Sequence, residues 1–129
     1  MKDGLPSEVR KQKALERLGC NHPRCVHCGE ADWRCLELHH IAGRAYGEEC
    51  AVECRNCHRK LSDTQKDHPP ALVDGEPPCL EKIGHFLLGL ADLLEMLIEK
   101  LREYGMVLIE AAANCPEPYG IQTGEGSTG

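Results

Sequence analysis

Residues 25–57 read CVHCGEADWRCLELHHIAGRAYGEECAVECRNC, and His58 follows directly. Two Cys-x2-Cys pairs, Cys25/Cys28 and Cys54/Cys57, bracket the adjacent histidines His39 and His40. Four thiolates in two such pairs match a tetrahedral structural zinc (Zn2+) site. A closed four-sulfur site has no room for the two imidazoles, so they need a separate task. A metal knot beside a cluster of histidines organises the first half of the chain.

Composition supports a metal in that place. The chain has 129 residues, one Phe, one Trp and nine Cys. So small a domain with so few large aromatics gains from a metal in place of a large core. The N-terminus, MKDGLPSEVRKQKALERLG, is charged and helix-like rather than a secretory signal. Paired Cys-x2-Cys spacing then favours zinc over disulfides and a reducing, cytoplasmic compartment. Charge is uneven: residues 1–70 carry twelve Lys/Arg and eleven Asp/Glu, residues 71–129 three and ten. A nucleic-acid surface therefore belongs to the first part, because the acidic second part repels phosphate.

Local signals give the element order. Residues 7–18 read as a short helix, with Ser7 as N-cap after Pro6 and Gly19 at its end. Its basic residues (Arg10, Lys11, Lys13, Arg17) are either a solvated face or phosphate contacts. Residues 33–38 alternate as a short strand that delivers His39 and His40 at its end. Gly43 and Gly47 break a loop, residues 50–54 form a second strand, and a helix follows from Cys57. Residues 67–78, DHPPALVDGEPP, form a Pro-rich linker. A helix is expected from Cys79 to Ala113, and a flexible tail over 116–129. The longest uncharged apolar run, Ile83 to Ala91, is too short to span a bilayer.

The combination of Cys-x2-Cys, LELHHI, a glycine-containing loop and CRNCH, over roughly residues 20–66, resembles the HNH endonucleases of the ββα-metal type that carry an added four-cysteine zinc. The resemblance implies a small ββα-metal zinc domain, which with the N-terminal helix occupies 1–66. Together with the coiled-coil-like helical arm read independently over 79–115, the expected fold class is α+β. It implies that Cys25, Cys28, Cys54 and Cys57 hold the structural zinc. It implies that His39 and His58 bind a second, catalytic divalent metal (Mg2+, Mn2+, Ni2+ or Zn2+), and that His40 is the general base. Such roles suit imidazole, which ligates metals and accepts a proton near neutrality. Adjacent residues on a strand point to opposite sides, which separates the tasks of His39 and His40. Two positions depart from the family pattern. Glu49 stands where the middle Asn is usual, and Ser62 where the last ligand is usual.

The expected activity is metal-dependent hydrolysis of DNA phosphodiesters. The alternative is a catalytically degenerate zinc module acting as a nucleic-acid-binding or protein-binding adaptor or inhibitor. Arg44, Arg55, Arg59 and Lys60 surround the site and either hold DNA phosphates or balance nearby acids. His39 and His40 can also be a structural pair, and His22 or His27 can replace a cysteine. Cys20, Cys35, Cys50, Cys79 and Cys115 read as buried or free thiols. Small free-standing members of the family are common in phages and mobile elements.

The arm carries its own signal. Ile83, Leu87, Leu90, Leu94, Leu97, Leu101, Tyr104 and Leu108 alternate spacings of four and three, an a/d seam. One helix over 80–113 extends about 50 Å at 1.5 Å per residue. A zinc domain of about 60 residues does not cover that length. A homodimer through residues 83–108 is expected, with a hairpin broken near Gly105 as the other solution.

Overall fold

Helix α1 spans Ser7–Leu18 and buries Ala14 and Leu18. Its entry is set by Pro6, whose carbonyl accepts from the N–H groups of Val9 and Arg10 at 3.0 Å each. Ser7 is thus the first helical residue rather than the cap, and no side chain caps the helix. Gly19 ends it in the left-handed conformation (φ 73°), donating to the carbonyls of Leu15 and Glu16. That geometry favours glycine. The computed structural model describes residues 4–115; the tail expected over 116–129 lies outside the described residues.

After the first knuckle, the Asp32 carboxylate accepts from the Arg34 N–H at 3.0 Å. This winds Trp33–Cys35 into a single 3-10 turn, where alternation suggests a strand. Strand β1 follows as Leu36–His40 and strand β2 as Cys50–Cys54. They pair antiparallel, with Leu36 opposite Cys54 and His40 opposite Cys50. Helix α2, Arg55–Gln65, begins two residues earlier than expected, because the Cys54 sulfur accepts the Cys57 N–H at 3.4 Å and caps it. The expected α+β class holds: a two-stranded antiparallel sheet, helices, a long C-terminal helix and a cluster of four cysteines. Leu18, Cys25, Leu36, Cys54 and Cys57 form the core, with Leu38, Val52 and Met96 packed on it.

Residues 67–78 form no helix or strand. Helix α3 then runs Cys79–Ala113 without a break at Gly84, Gly89 or Gly105. By packing, the chain divides into Met1–Leu97 and Ile98–Gly129, so the division falls inside α3 rather than at the linker. Within the first unit, α3 buries His85, Gly89 and Leu93. The approach at Gly89 is close enough that a Cβ there would stand 1.6 Å from the Ile41 carbonyl oxygen. Tyr46 stacks on His85 with ring centroids 3.8 Å apart. His68 meets Asp92 at 2.8 Å. Of the seam residues in the same segment, Ile83, Leu87, Leu94 and Leu97 remain exposed and Leu90 is half-buried. In the second unit Ile98, Leu101, Tyr104 and Leu108 are exposed, as are Met106, Val107 and Ile109. Among the described residues no helix is long and apolar enough to cross a membrane.

Candidate metal centre and adjoining cleft

The first knuckle is shaped by backbone hydrogen bonds. Cys25 N–H donates to Glu30 O at 2.9 Å, and Gly29 N–H returns to Cys25 O at 3.0 Å, with Gly29 left-handed at φ 80°. Val26 N–H donates to Val52 O at 3.0 Å, which ties this loop to β2. The second knuckle is the β2-to-α2 junction. The two bring the sulfurs of Cys25, Cys28, Cys54 and Cys57 within 4.8 Å of one another. A tetrahedral zinc with sulfurs at about 2.3 Å requires sulfur–sulfur edges of about 3.8 Å. The Cys28 and Cys54 sulfurs are 3.7 Å apart. The four cysteines are positioned to bind a metal ion such as zinc.

The thiols point the same way chemically. Burial pushes Cys57 well above the usual thiol range, helped by its hydrogen bonds with Cys54 and Cys25. Burial also raises Cys28. At Cys54 burial acts upward too, but hydrogen bonds from the Cys57 backbone and the neighbouring thiols bring it down overall. Four crowded thiols cannot all ionise without a cation between them. A bound metal deprotonates them together, which couples its binding to folding. No disulfide links the described residues.

The histidines form a separate group. His39 is 2 % exposed and packs under α2, where its ring meets that of His58 edge-on, centroids 5.3 Å apart. Burial pushes the His39 imidazole down to about 4, with His58, His40 and His27 adding to the shift. It is therefore neutral near pH 7 and available as a ligand. Gln65, at the end of α2, donates to the carbonyls of His40 (3.0 Å) and Ile41 (3.2 Å) and lies 3.5 Å from His39 Nε2. His58 Nδ1 is 2.7 Å from Glu37 Oε1, and Arg55 pairs with the same carboxylate at 3.5 Å. Glu37, Arg55, His58, Arg59 and Ser62 line an open cleft of about 430 Å3.

The structure thus brings His39 and His58 together and sets Arg55 and Arg59 beside them. His40 is half-buried and lies outside that lining, consistent with the strand alternation that turns it away from His39. Arg44 lines a different cavity, of about 530 Å3, with Tyr46, Glu48, Glu49, Lys82 and Phe86. Lys60 is exposed on α2. Among the described residues, no third Cys, His, Asp or Glu joins His39 and His58 in a metal-holding group.

Sequence reasoning weighed His27 as a substitute for a cysteine but missed its buried partner, Glu53. Glu53 on β2 is 0 % exposed, and its Oε1 lies 2.8 Å from His27 Nδ1 and 3.7 Å from the Cys25 sulfur. Burial raises the Glu53 carboxyl, against the opposing pull of His27. A glutamate in a two-stranded sheet normally faces water, so only its place next to Cys54 hinted at this role. The Glu37 bond to His58 follows the same logic: Glu37 and His39 are two apart on β1 and share the face that α2 covers.

No family model, curated protein or solved structure matches the chain.

Proposed function

We propose that the chain is a metal-dependent endonuclease of HNH type that hydrolyses DNA phosphodiester bonds. The observation that carries this is the meeting of His39 from β1 with His58 from α2 beside a cleft lined by Arg55 and Arg59. A structural zinc held by Cys25, Cys28, Cys54 and Cys57 fixes the β2-to-α2 junction and so the place of His58. Arg55 and Arg59 hold the phosphates flanking the scissile bond, with their guanidinium groups matched to phosphate oxygens. The proton of the attacking water is assigned to His40, the residue after His39 at the end of β1, although it lies outside the lining of the cleft. His39 and His58 are the two residues available to a divalent cation, which when bound offsets the charge developing on the phosphate. The thiol-rich site suits a reducing compartment such as the cytoplasm.

A second reading has its own support: a zinc module that binds nucleic acid or protein without cutting. His58 Nδ1 is already engaged by Glu37, Glu49 and Ser62 replace the usual Asn and last ligand, and only two imidazoles converge. Plasmid nicking with Mg2+, Mn2+, Ni2+ or Zn2+, each with a chelator control, separates the two. Nicking that depends on added metal supports the endonuclease. DNA retardation without nicking under every metal leaves the binding module.

We also propose that α3 pairs two copies. The docked residues His85, Gly89, Leu93 and Met96 and the heptad seam lie on different sides of the helix, about 120° apart at 100° per residue. Docking in the first unit therefore leaves Ile83, Leu87, Leu94 and Leu97 of the seam exposed, with Leu90 half-buried. The seam's exposed side chains, Ile83, Leu87, Leu94, Leu97, Leu101, Tyr104 and Leu108, form the kind of apolar stripe that a second copy of the helix covers.

A further inference from the structure

The tetrad is not the only group at the knuckles placed so that it could hold a metal ion. Cys25, His27, Glu53 and Cys57 also bring one ligand atom each within 4.8 Å of one another, and all four are buried. The two groups share Cys25 and Cys57, and no such group contains all six residues. That is the arrangement of two tetrahedra joined along one edge. Ligands at the far ends of such a pair stand about 6 Å apart, whereas those around each metal stay within about 4 Å. We propose that the chain holds a binuclear zinc cluster: one ion on the four cysteines, and a second on His27 and Glu53, with the Cys25 and Cys57 thiolates bridging both.

Three observations on the second site converge. His27 Nε2 lies 3.0 Å from the Leu93 carbonyl, which can only accept, so Nε2 carries the hydrogen. This is the outer-shell bond that orients a metal-binding imidazole, and it turns Nδ1 toward the site. Glu53 is fully buried, and its Oε2 has no hydrogen-bond partner. A buried carboxylate oxygen without a partner is costly and calls for a cation.

The distances agree with this. Zinc bonds of about 2.3 Å to sulfur and 2.0 Å to oxygen set a sulfur–oxygen edge of about 3.5 Å. The Cys25 sulfur and Glu53 Oε1 are 3.7 Å apart. A nitrogen–oxygen edge is about 3.3 Å, so the 2.8 Å separation of His27 Nδ1 and Glu53 Oε1 opens by about half an ångström on binding. Charge favours the second ion as well. Four thiolates and a carboxylate around one dication leave three uncompensated negative charges, and a second dication leaves one.

The test is metal content and cadmium resonance on the full chain, saturated with zinc or 113Cd and freed of loosely held ions by gel filtration. Two metals per chain are expected in the wild type, falling to one in Glu53→Gln and in His27→Gln. The 113Cd spectrum should show two equal resonances, one of four-sulfur character and one shifted by nitrogen and oxygen ligands. They should split each other through the bridging sulfurs. His39→Ala and His58→Ala should keep both metals, which separates this cluster from any ion at the cleft. One metal and one resonance at saturation in the wild type overturns the proposal, whatever the variants do. A second metal that survives in both folded variants overturns it too, as does one lost with His39 or His58.

Discussion

Gly89→Ala separates the packing of α3 from its helical propensity, because the two predict opposite signs. Alanine in a helix interior is favoured over glycine by about 1 kcal/mol. At Gly89 the new Cβ would meet the Ile41 carbonyl oxygen at 1.6 Å and its carbon at 2.6 Å. Both are backbone atoms that cannot rotate away, so the helix must move off by roughly 2 Å to reach normal contact distance. That shift uncovers Leu93 and stretches the His27–Leu93 bond of 3.0 Å. Overpacking of this kind costs about 1–3 kcal/mol and a lost hydrogen bond about 1 kcal/mol more. After the propensity gain, the net loss is about 2 kcal/mol, or roughly 8–16 °C in melting temperature for a unit of this size. A Cβ added at Gly84 or Gly105 meets nothing within 4 Å, so alanine there should be neutral or stabilising by up to about 1 kcal/mol. Thermal melts of the three zinc-loaded variants decide it. If Gly89→Ala melts as high as Gly84→Ala, α3 is not seated on the segment after β1.

Cys54→Ser should lose tightly bound zinc and the cooperative melt together, checked by metal analysis and calorimetry; full zinc with unchanged melting would contradict the tetrad. Acid should weaken the fold through His39. Its imidazole sits at about 4 in the fold against 6.5 free, so stability present above about pH 6.5 is lost as pH falls toward 4. At pH 5 that is up to about 2 kcal/mol, and His39→Asn should lose correspondingly less between pH 7 and pH 5 in urea titrations. Zinc release in acid affects both proteins, so an equal loss in the two would remove His39 as the source. Light scattering at micromolar concentration should give a dimer mass for the full chain and a monomer mass for Leu94→Glu/Leu97→Glu; a monomeric wild type rules the pairing out.

The knuckles are legible in the sequence because thiolate spacing is nearly independent of context, and α3 because Cys79 follows two prolines and the apolar repeat runs unbroken from Ile83 to Leu108. The start of β1 is not, because the Asp32 side chain captures the Arg34 N–H, a local bond that alternation of apolar residues does not reveal. The start of α2 is hidden because a cysteine sulfur acts as its cap. The docked face of α3 lies behind the stronger a/d periodicity: Gly89 reads as a helix weakener in sequence and as a close-approach residue in space. The pairing of His27 with Glu53 has no sequence signature beyond their places beside the knuckle cysteines, since its burial depends on Leu93, far along the chain, covering the first knuckle.

The most direct measurement of the central claim is plasmid cleavage by wild type and His40→Ala at equal zinc content and equal DNA binding, with the divalent metal that best supports nicking. Loss of cleavage in His40→Ala by about a hundredfold or more, with binding and melting retained, is the predicted result. Cleavage by His40→Ala at the wild-type rate, or no cleavage by the wild type with any metal, contradicts it.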